Sequence, residues 1–295
     1  MTKHNPEDQK QLIRFGHSPD PDDAFMFYAL AKHKIDTGRY EFKDVILDIE
    51  SLNRIALKAD LEVTAVSVHA FAHLADTYAI MPCGASVGEQ YGPMIVSKKQ
   101  IPTNMLRRCR IGIPGELTTA FLALKIFDPN IATYTVIPFD KIIPSILAGE
   151  IDAGLIIHEG QLTYKEWGLN LVLDLGEWWY EETKLPLPLG IDVVRKDLGP
   201  ETMTQVTEIF RESILFGLKN RTDALNYALQ YGRGLAIEKA DRFVSMYVND
   251  LTIDCGDSVR KAIHTLLHKG MTTRLYSKIP VIDFVPVSPV AYAEK

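Results

Sequence analysis

The sequence predicts a two-lobed α/β protein with mainly parallel sheets and a hinge of crossing strands. From residue 12 to about residue 196, short apolar segments with strand character alternate with segments of helical periodicity. Two extended segments, residues 91–99 and 185–196, stand at the middle and at the end of this alternation. From Pro200 onward the apolar spacing is helical almost throughout.

The first series of elements opens with a short buried strand at residues 12–16. The turn HSPDPDD follows this strand, and the segment AFMFYALAKHKI has the apolar spacing of a helix. DVILDIES and VTAVSV are predicted to be strands, and LNRIALKAD and HAFAHLAD are predicted to be short helices. This order is typical of a largely parallel sheet covered by helices.

A second series of strands and helices lies between the two extended segments. It runs through the strand RIGI, the turn PGELTT, the helix AFLALKIF, the strand ATYTVIPF, the helix DKIIPSILAGEI and the strand AGLIIHEG. The sequence therefore predicts an inserted second lobe at residues 97–189. The first lobe is discontinuous, residues 1–96 plus 190–295, and includes the C-terminal helices. Lobes joined by two crossing strands close around ligands by hinge motion.

The composition argues against several classes of protein. The 295 residues are 46% hydrophobic and 24% charged, as in ordinary globular proteins. The net charge of −6 disfavours nucleic acid as a partner. No apolar run approaches the roughly 18 residues of a membrane span, and the first residues lack the apolar core of a secretory signal. We expect a cytoplasmic protein with a small-molecule partner; the sequence makes no prediction of oligomeric state.

A candidate anion site lies in PGELTT, residues 114–119. The unpaired N–H groups and partial positive charge of a helix N-terminus bind carboxylates and phosphates, and Thr118 and Thr119 add hydroxyl groups. Thr118 is equally suited to be a helix N-cap. Both interpretations stay open at this point.

The acidic turn HSPDPDD allows two interpretations. Acidic side chains are favoured at a helix N-terminus, so we expect Asp23 to cap a helix that begins near Ala24. Asp20 and Asp22 are then solvated or face the cleft. Clustered carboxylates also suit magnesium, but no complementary acidic cluster stands elsewhere, and no metal site is predicted. Ser18 is a candidate donor to a ligand.

His158 is the candidate for proton transfer. It directly follows the apolar run AGLII, and the carboxyl end of a parallel strand faces the crevice in which α/β proteins bind ligands. Its side chain titrates near neutral pH, which suits a general base. Glu159 would orient the imidazole or cap the loop. A purely structural histidine is the alternative.

Other motifs give no support for metal or nucleotide chemistry. His69 with His73, and His264 with His268, have a zinc-ligand spacing but no third ligand, and are predicted to be partly exposed helical histidines. The sequence lacks GxGxxG, a P-loop and GxSxG, so no cofactor is predicted.

Several segments together resemble the 1,4-dihydroxy-6-naphthoate synthase family of the futalosine route to menaquinone. They stand in family order from about residue 14 to residue 198, with a weaker match in MYVNDLTIDCG. The combination of IIHE, WW and PLPLG is specific, although each alone is weak. The matching segments are SPDPDD, DIESLNRIAL, GPMIVSK, PGELTTAF, AGLIIHEGQLTY, LDLGEWW and LPLPLG.

The resemblance implies a type II periplasmic-binding-protein-like fold in a cytoplasmic carbon–carbon lyase. Its substrate would be cyclic dehypoxanthinyl futalosine, a carboxylate that is split into 1,4-dihydroxy-6-naphthoate and a three-carbon fragment without metal or redox cofactor. The resemblance makes His158 the proton acceptor. It also places Ser67, Thr118 and Thr119 against the substrate. Trp178 and Trp179 either cover the ring system or pack between the lobes.

The sequence departs from the family pattern at three positions. Asp20 and Asp22 stand where the family usually has Cys and Asn, and Ala65 stands where a lysine is common. The missing lysine and the added acids disfavour binding of a substrate carboxylate at this end of the site. These departures therefore affect the prediction of the substrate more than the prediction of the reaction type. The alternatives are chorismate dehydratase of the same pathway and a non-catalytic small-anion binding protein.

Overall fold

The computed structural model describes residues 10–231 and 235–288. Within these ranges eleven strands and twelve α-helices follow one another along the chain. The strands are β1 (Gln11–His17), β2 (Tyr40–Ile46), β3 (Val63–Ser67), β4 (Tyr78–Ile80), β5 (Ser86–Gly88), β6 (Met94–Ser97), β7 (Ile111–Ile113), β8 (Tyr134–Val136), β9 (Ala153–Ile156), β10 (Asn170–Asp174) and β11 (Leu187–Arg195). The helices are α1 (Pro21–Ala31), α2 (Ile49–Ala56), α3 (Val68–Phe71), α4 (Thr119–Phe127), α5 (Phe139–Ala148), α6 (Gly160–Thr163), α7 (Leu175–Thr183), α8 (Pro200–Lys219), α9 (Arg221–Ala228), α10 (Ile237–Tyr247), α11 (Asp250–Ile253) and α12 (Gly256–Gly270).

The strands form two sheets. The first has the order β2-β1-β3-β11-β4, with β5 also paired to β11. The second has the order β10-β6-β9-β7-β8. Parallel pairs join β1 to β2 and β3, and β7 to β8 and β9. Each sheet is nevertheless mixed, because β11 and β6 run antiparallel to their neighbours.

The mixed character follows from the path of the chain between the sheets. The chain leaves the first sheet after β5 and enters the second through β6, and it returns to the first through β11. Both entering strands run against the parallel strands that they join. We propose that the two sheets correspond to the predicted lobes. The predicted boundaries at 96/97 and 189/190 fall inside β6 and β11, and each of these strands belongs to a single sheet.

The first helix shows how local sequence and core packing combine. It begins at Pro21, three residues before the predicted start, because the fixed φ of proline suits the first helical position. Almost the whole of α1 is buried, since α8, α9 and α10 cover it. The ring of Phe27 packs edge-on against Phe15 of β1 at 4.3 Å and lies 5.0 Å from Phe210. Burying side chains of this size contributes about 1.5–3 kcal/mol each.

No helix in the described ranges is long and apolar enough to cross a membrane.

Candidate active site

A cavity of about 720 Å³, its open mouth included, lies at the carboxyl ends of strands from both sheets. Its wall includes all five residues that the sequence analysis selected: Ser18, Ser67, Thr118, Thr119 and His158. Ser18 and Ser67 follow or end parallel strands of the first sheet, and His158 lies just beyond β9 of the second. The carboxyl ends of strands are where open α/β sheets bind ligands.

His158 is held by a carboxylate from the other sheet. Its Nδ1 lies 2.6 Å from Asp20 Oδ2, and the two side chains are 12% and 4% exposed. The ring packs edge-on against Phe139 at 4.4 Å. With Nδ1 bonded to Asp20, the remaining ring nitrogen is Nε2, which is buried and has no hydrogen-bond partner among the residues of the two described ranges.

The backbone of His158 has a left-handed conformation, with φ of 62°. Such a conformation costs non-glycine residues about 1–3 kcal/mol and persists where the surroundings enforce it. Here the conformation turns the chain sharply between β9 and α6. This backbone conformation distinguishes the end of β9 from an ordinary strand end.

The electrostatic surroundings favour the protonated form of His158. Burial by itself lowers the pKa of His158, but the nearby carboxyls, with Asp20 the first among them, together outweigh burial and raise the pKa. Glu159 and Asp22 add smaller contributions in the same direction. Glu159 was expected either to orient the imidazole or to cap the loop; the carboxylate at hydrogen-bond distance from the imidazole is that of Asp20.

The acidic turn is built differently from the prediction. Asp23 does not cap a helix at Ala24. The helix starts at Pro21, so Asp23 is its third residue, and its Oδ2 accepts the backbone N–H of Ser18 at 2.7 Å. The Ser18 hydroxyl donates to Asp20 Oδ2 at 2.8 Å. Ser18 thus lines the cavity, but its hydroxyl hydrogen is donated to Asp20 and not to a ligand. This hydrogen bond positions the carboxylate that contacts His158.

Asp20 and Asp22 face the cavity, which was one of the two predicted outcomes. Both side chains are buried. Asp22 Oδ2 accepts a long hydrogen bond of 3.4 Å from the Ser86 hydroxyl. Burial, reinforced by the carboxyls of Asp23 and Asp20, raises the pKa of Asp22 well above its usual range.

Ser67 is positioned by an asparagine that the sequence analysis did not select. Ser67 N–H donates to Asn53 Oδ1 at 2.8 Å, and Asn53 Nδ2 donates to Ser67 Oγ at 3.1 Å. The same amide reaches the Leu117 carbonyl at 3.4 Å. Asn53 is fully buried on α2. It therefore ties the end of β3 to the loop before α4.

Thr118 and Thr119 use their hydroxyl hydrogens within the protein. Thr118 is the N-cap of α4: its Oγ1 accepts the N–H of Phe121 at 3.2 Å and donates to the Gly115 carbonyl at 2.8 Å. Thr119 Oγ1 donates to the Leu189 carbonyl at 2.6 Å. The two hydroxyl groups that were expected to donate to an anion thus donate to backbone carbonyls instead. The N–H groups of the first turn of α4, which lack intrahelical partners, remain at the cavity wall.

The two histidine pairs differ in their surroundings. No group of three or more metal-ligating side chains occurs in the part of the chain that the structure describes. His264 and His268 are exposed on α12, as expected. His69, expected to be partly exposed, is buried, and burial together with His73 lowers its pKa to about 4. Its position on α3, against the start of α4, explains the difference, since its Nδ1 contacts the Thr118 carbonyl at 3.3 Å.

The tryptophan pair packs in the interior instead of covering the cavity. Trp179 is fully buried, and its Nε1–H donates to the Pro186 carbonyl at 3.0 Å. Trp178 packs edge-on against Phe127 of α4 at 5.3 Å. Neither residue is in the cavity wall. Both residues therefore pack against neighbouring side chains and backbone outside the cavity wall.

Asp192 is a further residue that the sequence analysis missed. It lies in the middle of β11, is 2% exposed and contributes to the cavity wall. Burial, with Asp23 and Asp22 nearby, raises its pKa well above the usual range. An acid inside the apolar run LGIDVV was the available signal, because charged residues are rarely fully buried without a reason.

A model of a protein family described as menaquinone biosynthesis matches residues 13–271 of the chain. Two curated relatives carry the name 1,4-dihydroxy-6-naphthoate synthase. The relative from Thermus thermophilus is 35% identical over 275 residues, which is 93% of this chain and 100% of the relative. The relative from Streptomyces coelicolor is 30% identical over 263 residues, which is 88% of this chain and 92% of the relative.

Solved structures agree with the fold described above. A crystal structure of an Archaeoglobus fulgidus protein shares 48% identity and a TM-score of 0.86, covering 90% of this chain and 98% of that one. The alkanesulfonate-binding protein SsuA of Xanthomonas axonopodis pv. citri, bound to MOPS, has a TM-score of 0.67 at 14% identity, with coverage of 93% and 97%. A Candida albicans protein described as having the generic periplasmic binding protein fold has a TM-score of 0.67 at 10% identity, with coverage of 91% and 92%. The predicted α/β, periplasmic-binding-protein-like fold is confirmed, although its two sheets are mixed and not mainly parallel as predicted.

Proposed function

Because this chain belongs to the menaquinone biosynthesis family, we propose that it is a 1,4-dihydroxy-6-naphthoate synthase, a carbon–carbon lyase with His158 as general base. The family resemblance predicted from the sequence motifs is confirmed by the match over residues 13–271. The proposed substrate is cyclic dehypoxanthinyl futalosine, a small-molecule carboxylate, and the proposed location is the cytoplasm. The observation that carries the proposal is the His158–Asp20 pair in the cavity wall.

His158 is suited to remove a proton from a bound substrate. A general base needs one ring nitrogen fixed and the other available, and Asp20 at 2.6 Å from Nδ1 fixes the ring in this way. Nε2 then carries the lone pair of the neutral imidazole. Removal of a proton from the cyclic substrate starts carbon–carbon cleavage, and formation of the aromatic naphthoate drives it forward.

The N-terminus of α4 is the proposed site for the substrate carboxylate. With both threonine hydroxyl hydrogens committed, the donors are backbone N–H groups of the first turn, at Thr119 and Ala120. Ala120 is also in the cavity wall. The cap made by Thr118 fixes the direction in which these N–H groups point. Thr118 and Thr119 thus serve binding mainly through the backbone they position.

Hydrogen bonds beside the cavity and in its wall join segments that are distant in the chain. Glu50 Oε2 on α2 accepts the Leu117 N–H at 3.1 Å. The Tyr247 hydroxyl on α10 donates to Gln161 Oε1 on α6 at 2.9 Å. Both Tyr247 and Gln161 are buried in the cavity wall. A closed cavity orients the substrate against the base and keeps out water, which is how lobe closure contributes to catalysis.

Replacement of His158 tests the proposal. The purified protein is mixed with cyclic dehypoxanthinyl futalosine, and naphthoate fluorescence is followed over time. A general base contributes about 10²–10⁴-fold to rate, so His158→Asn should lower kcat by roughly that factor and leave KM nearly unchanged. His264→Asn is the matched control, since His264 is an exposed histidine on α12. Its kcat should equal that of the wild type.

Measurements of chorismate consumption and of binding, made beside the naphthoate assay, separate the alternatives. Turnover of chorismate without turnover of the futalosine derivative would assign the protein to chorismate dehydration. Binding of either compound without product would favour a non-catalytic anion-binding protein. Near-normal kcat in His158→Asn would leave the reaction in place and refute the role of His158.

A further inference from the structure

Asp192 is a buried acid of the cavity wall that the role proposed for His158 does not use. Its side chain comes from β11 of the first sheet, and His158 comes from the strand end of the second; both line the same cavity. Asp192 Oδ1 is buried and lacks a hydrogen-bond partner within residues 10–231 and 235–288. Buried polar atoms are almost always paired, so an unpaired oxygen in a cavity wall points to a ligand atom as its partner.

Small residues keep the Asp192 carboxyl open to the cavity. In the register of β11 with β3, Asp192 is paired with Ala65, whose side chain is a single methyl group. On another side the carboxyl packs against Gly84, where an added Cβ would lie 2.0 Å from Asp192 Oδ2. Both small residues are also part of the cavity wall. The sequence thus leaves room for this carboxyl where larger side chains would cover or displace it.

The surroundings of Asp192 supply acids and no compensating cation. Asp23 and Asp22 of α1 are the ionisable groups that act on it. Asp192 in turn contributes to raising the pKa values of the Cys83 and Cys255 thiols, which burial raises most. The cavity wall, as far as the structure describes it, contains no lysine or arginine. Burial and the two carboxyls raise the pKa of Asp192, which favours its protonated form.

We propose that Asp192 is the proton donor of the reaction, acting together with His158 as the base. This proposal rests on the proposed function. His158 Nε2 takes the proton of a substrate hydroxyl, and the electron pair of that O–H bond forms a carbonyl as the adjacent carbon–carbon bond breaks. The carbonyl forms on the ring carbon, and the electron pair of the broken bond moves into the three-carbon fragment. That fragment takes the proton of Asp192, and the ring diketone tautomerises to the dihydroxynaphthoate.

The proposed step balances without any co-reactant. His158 gains one proton and Asp192 loses one, and exchange with solvent restores both groups. No net oxidation or reduction occurs, since the two products together have the atoms of the substrate. An acid and a base with opposite tasks in one cavity are the arrangement that proton transfer in both directions requires.

The test compares kcat and KM for the futalosine derivative over a range of pH in four proteins. They are the wild type, Asp192→Asn, Asp22→Asn and the surface control Asp60→Asn. Asp60 is exposed and outside the cavity wall. Asp192→Asn keeps the shape of the side chain but has no acidic proton, so kcat should fall by about 10²–10⁴-fold with a much smaller change in KM. The wild type should lose activity at high pH as Asp192 ionises, and Asp192→Asn should lack this alkaline limb.

Each possible result decides the proposal. If Asp192→Asn fails to fold, the dependence of the wild-type kcat on pH is the test. A wild type whose activity does not fall at high pH contradicts the proposal, because a proton donor must lose activity when it ionises. A kcat of Asp192→Asn close to that of Asp60→Asn also overturns the proposal. So does an alkaline limb that disappears in Asp22→Asn and persists in Asp192→Asn, which would assign the acid to Asp22. A wild type that forms no naphthoate would overturn both this proposal and the proposed function, whereas an active wild type with an unaffected Asp192→Asn overturns this one alone.

Discussion

The hydrogen bond between Asp20 and His158 is expected to control both the rate and its pH dependence. Replacing Asp20 by Asn keeps the size of the side chain but removes the negative charge 2.6 Å from Nδ1. A hydrogen bond to a charged group contributes about 1.5–3 kcal/mol. At about 1.4 kcal/mol per tenfold change in rate, its loss from the transition state lowers kcat by roughly 10- to 100-fold. The substrate carboxylate lies elsewhere in the proposal, so KM should change little.

The pH profile separates this role from a general structural one. Neutral His158 is the active form, so activity falls as the pH drops through its pKa, and Asp20 raises that pKa. Asp20→Asn should therefore move the acidic limb to lower pH. His158→Asn should lack the limb, and Asp60→Asn should keep it in place. The measurement is kcat against pH by naphthoate fluorescence. An acidic limb of Asp20→Asn that coincides with the wild type, or one that moves to higher pH, would refute the reasoning.

Three further predictions concern the anion site and the acidic turn. Thr118→Ala should lower the free energy of unfolding in urea by about 0.5–2 kcal/mol, since it removes the cap on the Phe121 N–H, and Thr118→Ser should restore most of it. Gly115→Ala should raise KM, because the added Cβ would lie 2.3 Å from Glu50 Oε2 and displace the carboxylate that accepts the Leu117 N–H. An unchanged KM would show that the Glu50–Leu117 hydrogen bond does not contribute to substrate binding. EDTA should leave turnover intact, and activity lost on chelation and regained with magnesium would identify a metal site.

The sequence by itself determined the local structure and the positions of the candidate residues along it. Alternating apolar segments, the turn PGELTT and the proline-rich return strand located β6, β7, α4 and β11 closely. These signals are local, because strand alternation, N-caps and proline restrictions act within a few residues. The same signals placed His158 at a strand end and Thr118 at the start of a helix, whereas Ser67 came from the family resemblance. The two sheets then brought these ends together.

The tertiary structure alone decided which side chains act on one another. Asp20 and His158 follow strands of different sheets, and nothing in the spacing of either segment indicates that the two residues meet. Asn53 behind Ser67, and Asp192 in the middle of β11, acquire their importance from burial beside partners distant in sequence. Trp178 and Trp179 were equally compatible with a binding site or a packed core. Such assignments depend on which surfaces are removed from water, and that is fixed only when the two sheets and their helices pack together.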